Sequence, residues 1–330
     1  MRSSVFFSGE RDGLLLKLFV AMDERRGAWL ALLRRAPELQ FFIAVNALGT
    51  SAMIFRLFQS FKAPLAFFPF WMPLIFVLLY GGAFFFMFLP AATATEDGRS
   101  TPSTRRPALE LVLVLVYSVG FINLGTWLMQ HDHDTGAHAV ALTKLLEFIT
   151  AAHNALFGWL VAYRPGIAGI YVFFAIPLAM MLLLGNHPRS LGFRWPAAPR
   201  WTLAAYGGLF LLTIIQNAVI RGPERAAFAG LAGLLGAGLP EELLYRGIIQ
   251  TRLETLLGPL RAIAATSLLF GVVHLGSSDP LGPLFQLGNA LGPKALIGLI
   301  LGHCYYRTRS LWPGVLFHAT LDVAFFARTL

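Results

Sequence analysis

The sequence predicts an all-α fold, a polytopic transmembrane helical bundle of about eight crossings. Three observations carry that prediction. Hydrophobic residues make up 56% of the 330-residue chain and charged residues only 13%, roughly half the charged share of a soluble domain. Residues 65–89, 111–129, 167–184 and 201–220 are free of Asp, Glu, Lys and Arg and long enough to cross a bilayer. Basic residues collect between such stretches, as connecting loops of a membrane protein do.

The remaining bulk properties narrow the class of function. A net charge of +9 follows from basic loops and attraction to anionic lipid. No basic cluster with interleaved aromatics occurs, so nucleic acid is not expected as a partner. Cys304 is the one cysteine, which excludes an internal disulfide and any cysteine-based metal site.

Taken in order, residues 1–40 read as a basic amphipathic segment on the cytoplasmic face, with Arg2, Arg11, Lys17, Arg25, Arg26, Arg34 and Arg35. Residues 41–61 form a weak span, interrupted by Arg56. Residues 65–89 span, and 90–107 is a Thr/Ser/Pro loop with Arg99, Arg105 and Arg106. After the 108–129 span, His131-Asp132-His133-Asp134 with His138 reads as a polar outward loop rather than a metal site, because alternate residues of a loop seldom hold a ligand geometry. Glu147, His153 and Asn154 belong to a helix over 142–163 and face its neighbours there. Residues 167–184 span. The Arg- and Pro-bearing loop 185–200 marks the boundary between a variable transmembrane region (41–189) and the working core (190–330). With a cytoplasmic N-terminus that loop falls outside, against the positive-inside rule, so one weak segment is not a full span.

In the core, 201–220 spans and 226–250 carries the first motif. Residues 262–276 end on His274. Residues 277–293 read as loop or short helix, broken by Pro280, Pro283, Pro293 and glycines. A helix over 294–306 follows, then a last one over 311–326 with His318 and Asp322.

The chemistry concentrates here. Glu241, Glu242 and Arg246 follow an uncharged run, 226–239, and charge placed in hydrocarbon marks function by default. Residues four apart share a helix face, whereas neighbours are about 100° apart. Glu242 therefore pairs with Arg246. Glu241 points elsewhere without a local partner and is free to act as a general base. His274 comes from the next helix, and His318 and Asp322, again four apart, from the last. Two histidines and two carboxylates in apolar surroundings make either a metal site or a water-activating acid/base site. Gly230, Gly233, Gly236 and Gly238 are expected to let neighbouring helices approach closely, and Pro240 to kink the helix.

Glu241-Glu242-x-x-x-Arg246, Phe270-x-x-x-His274 and His318-x-x-x-Asp322 resemble the three motifs of the CPBP family, the type II CAAX prenyl endopeptidases and their bacterial Abi relatives. Ser190-Leu191-Gly192-Phe193 and Ser310-Leu311-Trp312-Pro313 resemble the contexts upstream of the first and third motifs. The resemblance covers residues 190–330.

It implies an intramembrane endopeptidase of the bacterial cytoplasmic membrane, acting in the lipid bilayer on a membrane-associated protein or peptide. Glu241 and His274 would activate the attacking water. Glu242, Arg246 and Phe270 would support them, and His318 with Asp322 would lie on the oxyanion side. The family has been described both as metal-independent glutamate proteases and as metalloproteases. A divalent metal such as zinc, held by Glu241, His274, His318 and Asp322, is therefore the alternative chemistry. Many prenyl endopeptidases carry Asn where this chain has Asp322. An ionised Asp cannot donate to an oxyanion. Asp322 orients His318, is protonated, or binds a cation; the orienting role is the preferred reading. Two other classes stay open, a non-catalytic bacteriocin-immunity or scaffold protein and a proton-coupled transporter. The complete motif set argues against the first. The lack of an internal repeat argues against the second.

Overall fold

The structure is a computed structural model and describes residues 37–60, 104, 106–118, 144, 174–196, 203–275 and 282–329. Among them every regular element is helical, in agreement with the all-α prediction. Helix α1 spans Pro37–Ser60, α2 Pro107–Leu115, α3 Ile176–Leu183 and α4 Gly208–Arg221. The long helix α5 runs Pro223–Leu257, α6 Pro259–Val272, α7 Pro283–Thr308 and α8 Trp312–Thr329. Among the described residues, three helices are long and apolar enough to cross a membrane, Ala204–Arg221, α5 and α7. The segment 65–89, the His131–Asp134 cluster with His138, and Glu147, His153 and Asn154 lie outside the described residues, as does nearly all of 1–40.

Two expectations about breaks change. Residues 283–293, read as loop or short helix, form the first three turns of α7. Pro283 occupies the first turn of α7, where its missing N–H is not needed. Pro293 lies in a π-helical turn, Ala290–Lys294, which already interrupts the regular hydrogen-bond ladder. Pro240 is absorbed in the same way. π-helical stretches at Ala232–Gly238 and Leu243–Gln250 flank it, and α5 continues through.

Helix α8 packs against the Ala232–Gly238 stretch of α5, and α6 against α7. The expected glycine stripe makes the first contact possible. A Cβ on Gly233 would lie 3.0 Å from the Ala319 carbonyl, and one on Gly238 3.0 Å from that of Val315. Gly230 faces Ile214 of α4 instead.

Helices from the first half of the chain pack into this core. Asn46 of α1 donates to the carbonyls of Leu291 (2.9 Å) and Gly292 (2.6 Å), at the π turn of α7. Glu110 of α2 is buried and accepts from Arg252 of α5 at 2.9 Å. Arg252 is fully buried and also donates to Asn186 Oδ1 and the Gly247 carbonyl, both at 2.9 Å. A buried cation needs this enclosure. Glu110→Gln, which keeps an acceptor but removes the charge, is expected to destabilise the protein by roughly 2 kcal/mol. The drop in unfolding temperature of the purified full chain measures it.

The two context elements of the core also meet. The Leu311 N–H donates to the Gly192 carbonyl at 3.0 Å. Arg194 Nε donates to the Arg309 carbonyl at 2.6 Å, and Ser310 Oγ to the Arg194 carbonyl at 2.6 Å. This joint fixes the start of α8, and with it the height of His318.

Candidate active site

Arg246, one turn beyond Glu242 on α5, bonds it at 3.1 Å; both side chains are buried. Arg246 also donates to the Gly298 carbonyl of α7 at 3.4 Å. Its guanidinium lies 4.6 Å from the centre of the Phe270 ring, a cation–π contact that covers one face.

Glu242 has a second partner that spacing along one helix cannot reveal. His318 Nδ1 is 3.1 Å from Glu242 Oε1. That approach is possible because α8 begins with Gly314 against α5. A Cβ at Gly314 would lie 2.6 Å from Glu242 Oε2. Glu242 therefore ties three elements together: α5 through Arg246, α8 through His318, and α7 through the Arg246 bond to Gly298.

The opposite ring nitrogen of His318 faces two more carboxylates. Nε2 lies 3.7 Å from Glu241 Oε2 and 3.5 Å from Asp322 Oδ2. Neither oxygen has a hydrogen-bond partner. Both side chains are partly open, 25% exposed for Glu241 and 21% for Asp322, whereas Glu242 is 1% exposed. Of the adjacent glutamates, one is locked and one is available. Asp322 does lie against His318, at Nε2. Glu242 makes the closer contact, on the nitrogen remote from Asp322.

Phe270 joins the second motif to this cluster. Its ring centre is 5.2 Å from that of Tyr245, 5.0 Å from His274 and 5.7 Å from His318. His274 follows the end of α6, and its Nδ1 donates to the Phe270 carbonyl at 2.7 Å. That bond fixes the tautomer and leaves Nε2 as a bare acceptor. The two histidines thus pack on one phenyl ring from different elements.

Glu241, His318 and Asp322 form one group, Glu242 and Arg246 support it, and His274 reaches it through Phe270. Among the described residues, no three His, Cys, Asp or Glu side chains converge with the geometry to hold a metal ion. Of the four residues named for a metal, Glu241, His318 and Asp322 lie together, while His274 holds the Phe270 carbonyl through Nδ1 and keeps Nε2 open.

Two positions read differently once the helices are packed. Gly314 looks like an ordinary turn residue until α5 packs on it. Lys294 follows Pro293 and reads as a flank of the 294–306 helix, but in the structure it lies well inside α7.

No curated protein and no solved structure matches the chain. A family model described as type II CAAX prenyl endopeptidase Rce1-like matches residues 223–324. That span begins at the first residue of α5 and includes Glu241, Arg246, Phe270, His274, His318 and Asp322. With the motif residues gathered on α5, α6 and α8 of an apolar helical core, the C-terminal region of this chain is similar to the type II CAAX prenyl endopeptidase Rce1-like family over residues 223–324.

Proposed function

We propose that this protein is an integral-membrane endopeptidase that hydrolyses a peptide bond in a membrane-associated protein or peptide, with Glu241 as general base. One observation carries the reading. Glu241 is the carboxylate left free by the Glu242–Arg246 pair, partly exposed and with Oε2 unpartnered. A base in that state can take a proton from water. His274 Nε2, a bare acceptor, assists on the same water. Glu242 holds His318 in place, and Phe270 holds the spacing between the histidines.

The steps balance without another reagent. The water oxygen bonds to the carbonyl carbon as its proton passes to Glu241. The carbonyl π pair moves to oxygen. The C–N bond then breaks as the proton on Glu241 goes to nitrogen, giving a carboxyl product and an amine product. The bacterial cytoplasmic membrane is the proposed location. Any divalent metal would act outside this scheme, and chelation is the test of it.

The experiment uses the full chain in lipid nanodiscs with a library of membrane-tethered peptides, and products are identified by mass spectrometry. Cleavage is expected, and it is expected to persist after exhaustive chelation. Absence of cleavage of every peptide would favour the non-catalytic or transport readings. Asp322→Asn separates two roles in the same assay. Activity that holds or rises fits a carboxylate with no duty as a cation ligand, and collapse points to a bound cation.

A further inference from the structure

At one end of the bundle α5 finishes, α6 starts and α7 turns into α8. The first turn of α2 lies there too, through the Glu110–Arg252 pair. The turn that follows α3 packs on the same end, through Gly192 and Leu311. Among the described residues, the carboxylates at this end are Glu110 and Glu254. Both are buried and spent on Arg252 and Arg309.

Arg194 has no such partner. Its Nε donates to the Arg309 carbonyl, and its own carbonyl accepts from Ser310 Oγ, both at 2.6 Å. These bonds hold the guanidinium by one nitrogen. The two terminal nitrogens make no hydrogen bond or ion pair among the described residues, and the side chain is half-buried. Arg189 belongs to the same tight turn, since the Gly192 N–H donates to its carbonyl at 3.3 Å and the Phe193 N–H to that of Pro188 at 3.1 Å. The Arg189 side chain is exposed.

Two observations set the level of this turn in a bilayer. Trp195, beside Arg194, is 64% exposed and stacks on Trp312 with ring centres 5.7 Å apart and planes at 25°. Indoles, apolar with one polar N–H, settle at the headgroup level. The last residue of α3, Leu183, is 88% exposed, as a lipid-facing side chain is, and Arg189 follows it by six residues. Apolar surface therefore gives way to exposed arginine here. A guanidinium held by Nε offers its two remaining nitrogens as a fork, which suits the paired oxygens of a phosphate.

We propose that Arg194, with Arg189 and the Trp195–Trp312 pair, binds the phosphate of an anionic phospholipid headgroup. This does not depend on the endopeptidase reading. Arg194 is bonded to Arg309 and Ser310, just ahead of α8. The lipid thus braces the joint from which His318 is placed, six residues or about 9 Å along α8 from Trp312. A ligand of the folded state stabilises it.

The test uses the purified full chain in neutral detergent, titrated with phosphatidylglycerol, phosphatidylcholine or inorganic phosphate. Bound lipid is counted by native mass spectrometry and unfolding temperature is followed in parallel. Phosphatidylglycerol is expected to be retained and to raise the unfolding temperature, and phosphatidylcholine, whose phosphate is neutralised by its own cation, to bind more weakly. Arg194→Gln is expected to weaken phosphatidylglycerol binding about fivefold, the worth of one basic residue at an anionic surface. Arg225 is exposed at the start of α5, the opposite end of that helix, so Arg225→Gln repeats the charge change elsewhere and is expected to bind like wild type. Wild-type binding in Arg194→Gln overturns the proposal. So does an equal loss in Arg225→Gln, which would reduce the effect to overall charge. Equal affinity for the two lipids overturns the anionic headgroup, and a full rise in unfolding temperature from inorganic phosphate alone makes the ligand a free anion. Should Arg194→Gln not fold, the exposed double variant Arg189→Gln/Trp195→Ala decides, since unchanged phosphatidylglycerol binding in that folded protein refutes the site.

Discussion

Glu241→Gln is expected to reduce peptide cleavage by about 10²–10⁴-fold while leaving the fold intact. The amide has the shape of the carboxylate but cannot take a proton from water. Stability is expected to change little, because Glu241 Oε2 makes no hydrogen bond and lies 3.7 Å from His318 Nε2. Cleavage rate and unfolding temperature on the same preparation check both halves of the statement. A variant that turns over like wild type removes Glu241 as the base. A variant that unfolds shows that Glu241 holds the bundle together rather than serving its chemistry.

Arg246→Met is expected to do the reverse, acting first on stability. It leaves Glu242 buried and charged beside His318 and strips the Gly298 carbonyl of its donor. Removing one partner of a buried ion pair costs about 3–5 kcal/mol. Activity falls with it, since Glu242 no longer has a cation to hold it where His318 needs it. The double variant Glu242→Leu/Arg246→Met sharpens the test. Replacing both charges by apolar groups is expected to recover part of the lost stability. Cleavage is not expected to return, because His318 has then lost its 3.1 Å partner. Recovery of both together would reduce Glu242 to a packing residue. Lysine at position 246 is a poor substitute, as it cannot serve Glu242 and Gly298 at once with a planar fork.

The class of the protein and the identity of its polar groups are legible in the chain alone. Long uncharged stretches require helices whose backbone bonds close internally in lipid. Spacing of four along one helix is enough to pair Glu242 with Arg246 and to leave Glu241 out. Such signals are local, and each can be read within a few turns of one element. The motif residues also needed no tertiary information to be noticed, because isolated charge in an apolar run is conspicuous.

How those groups divide their partners depends on the packing of the helices. His318 lies 76 residues from Glu242, and nothing in the spacing of either helix says that they touch. The choice of Glu242 over Asp322 as the closer partner of His318 depends on how near α8 comes to α5, which Gly314 permits. Phe270 looks like one apolar residue among many until its ring is found against Arg246 and both histidines. Lys294 appeared to flank a helix because Pro293 precedes it, whereas a π-helical turn carries the backbone past that proline and leaves the lysine inside. Glu110 and Arg252, 142 residues apart, are each unremarkable in sequence. Burial makes them depend on one another, since a charge withdrawn from water must find its partner within the protein.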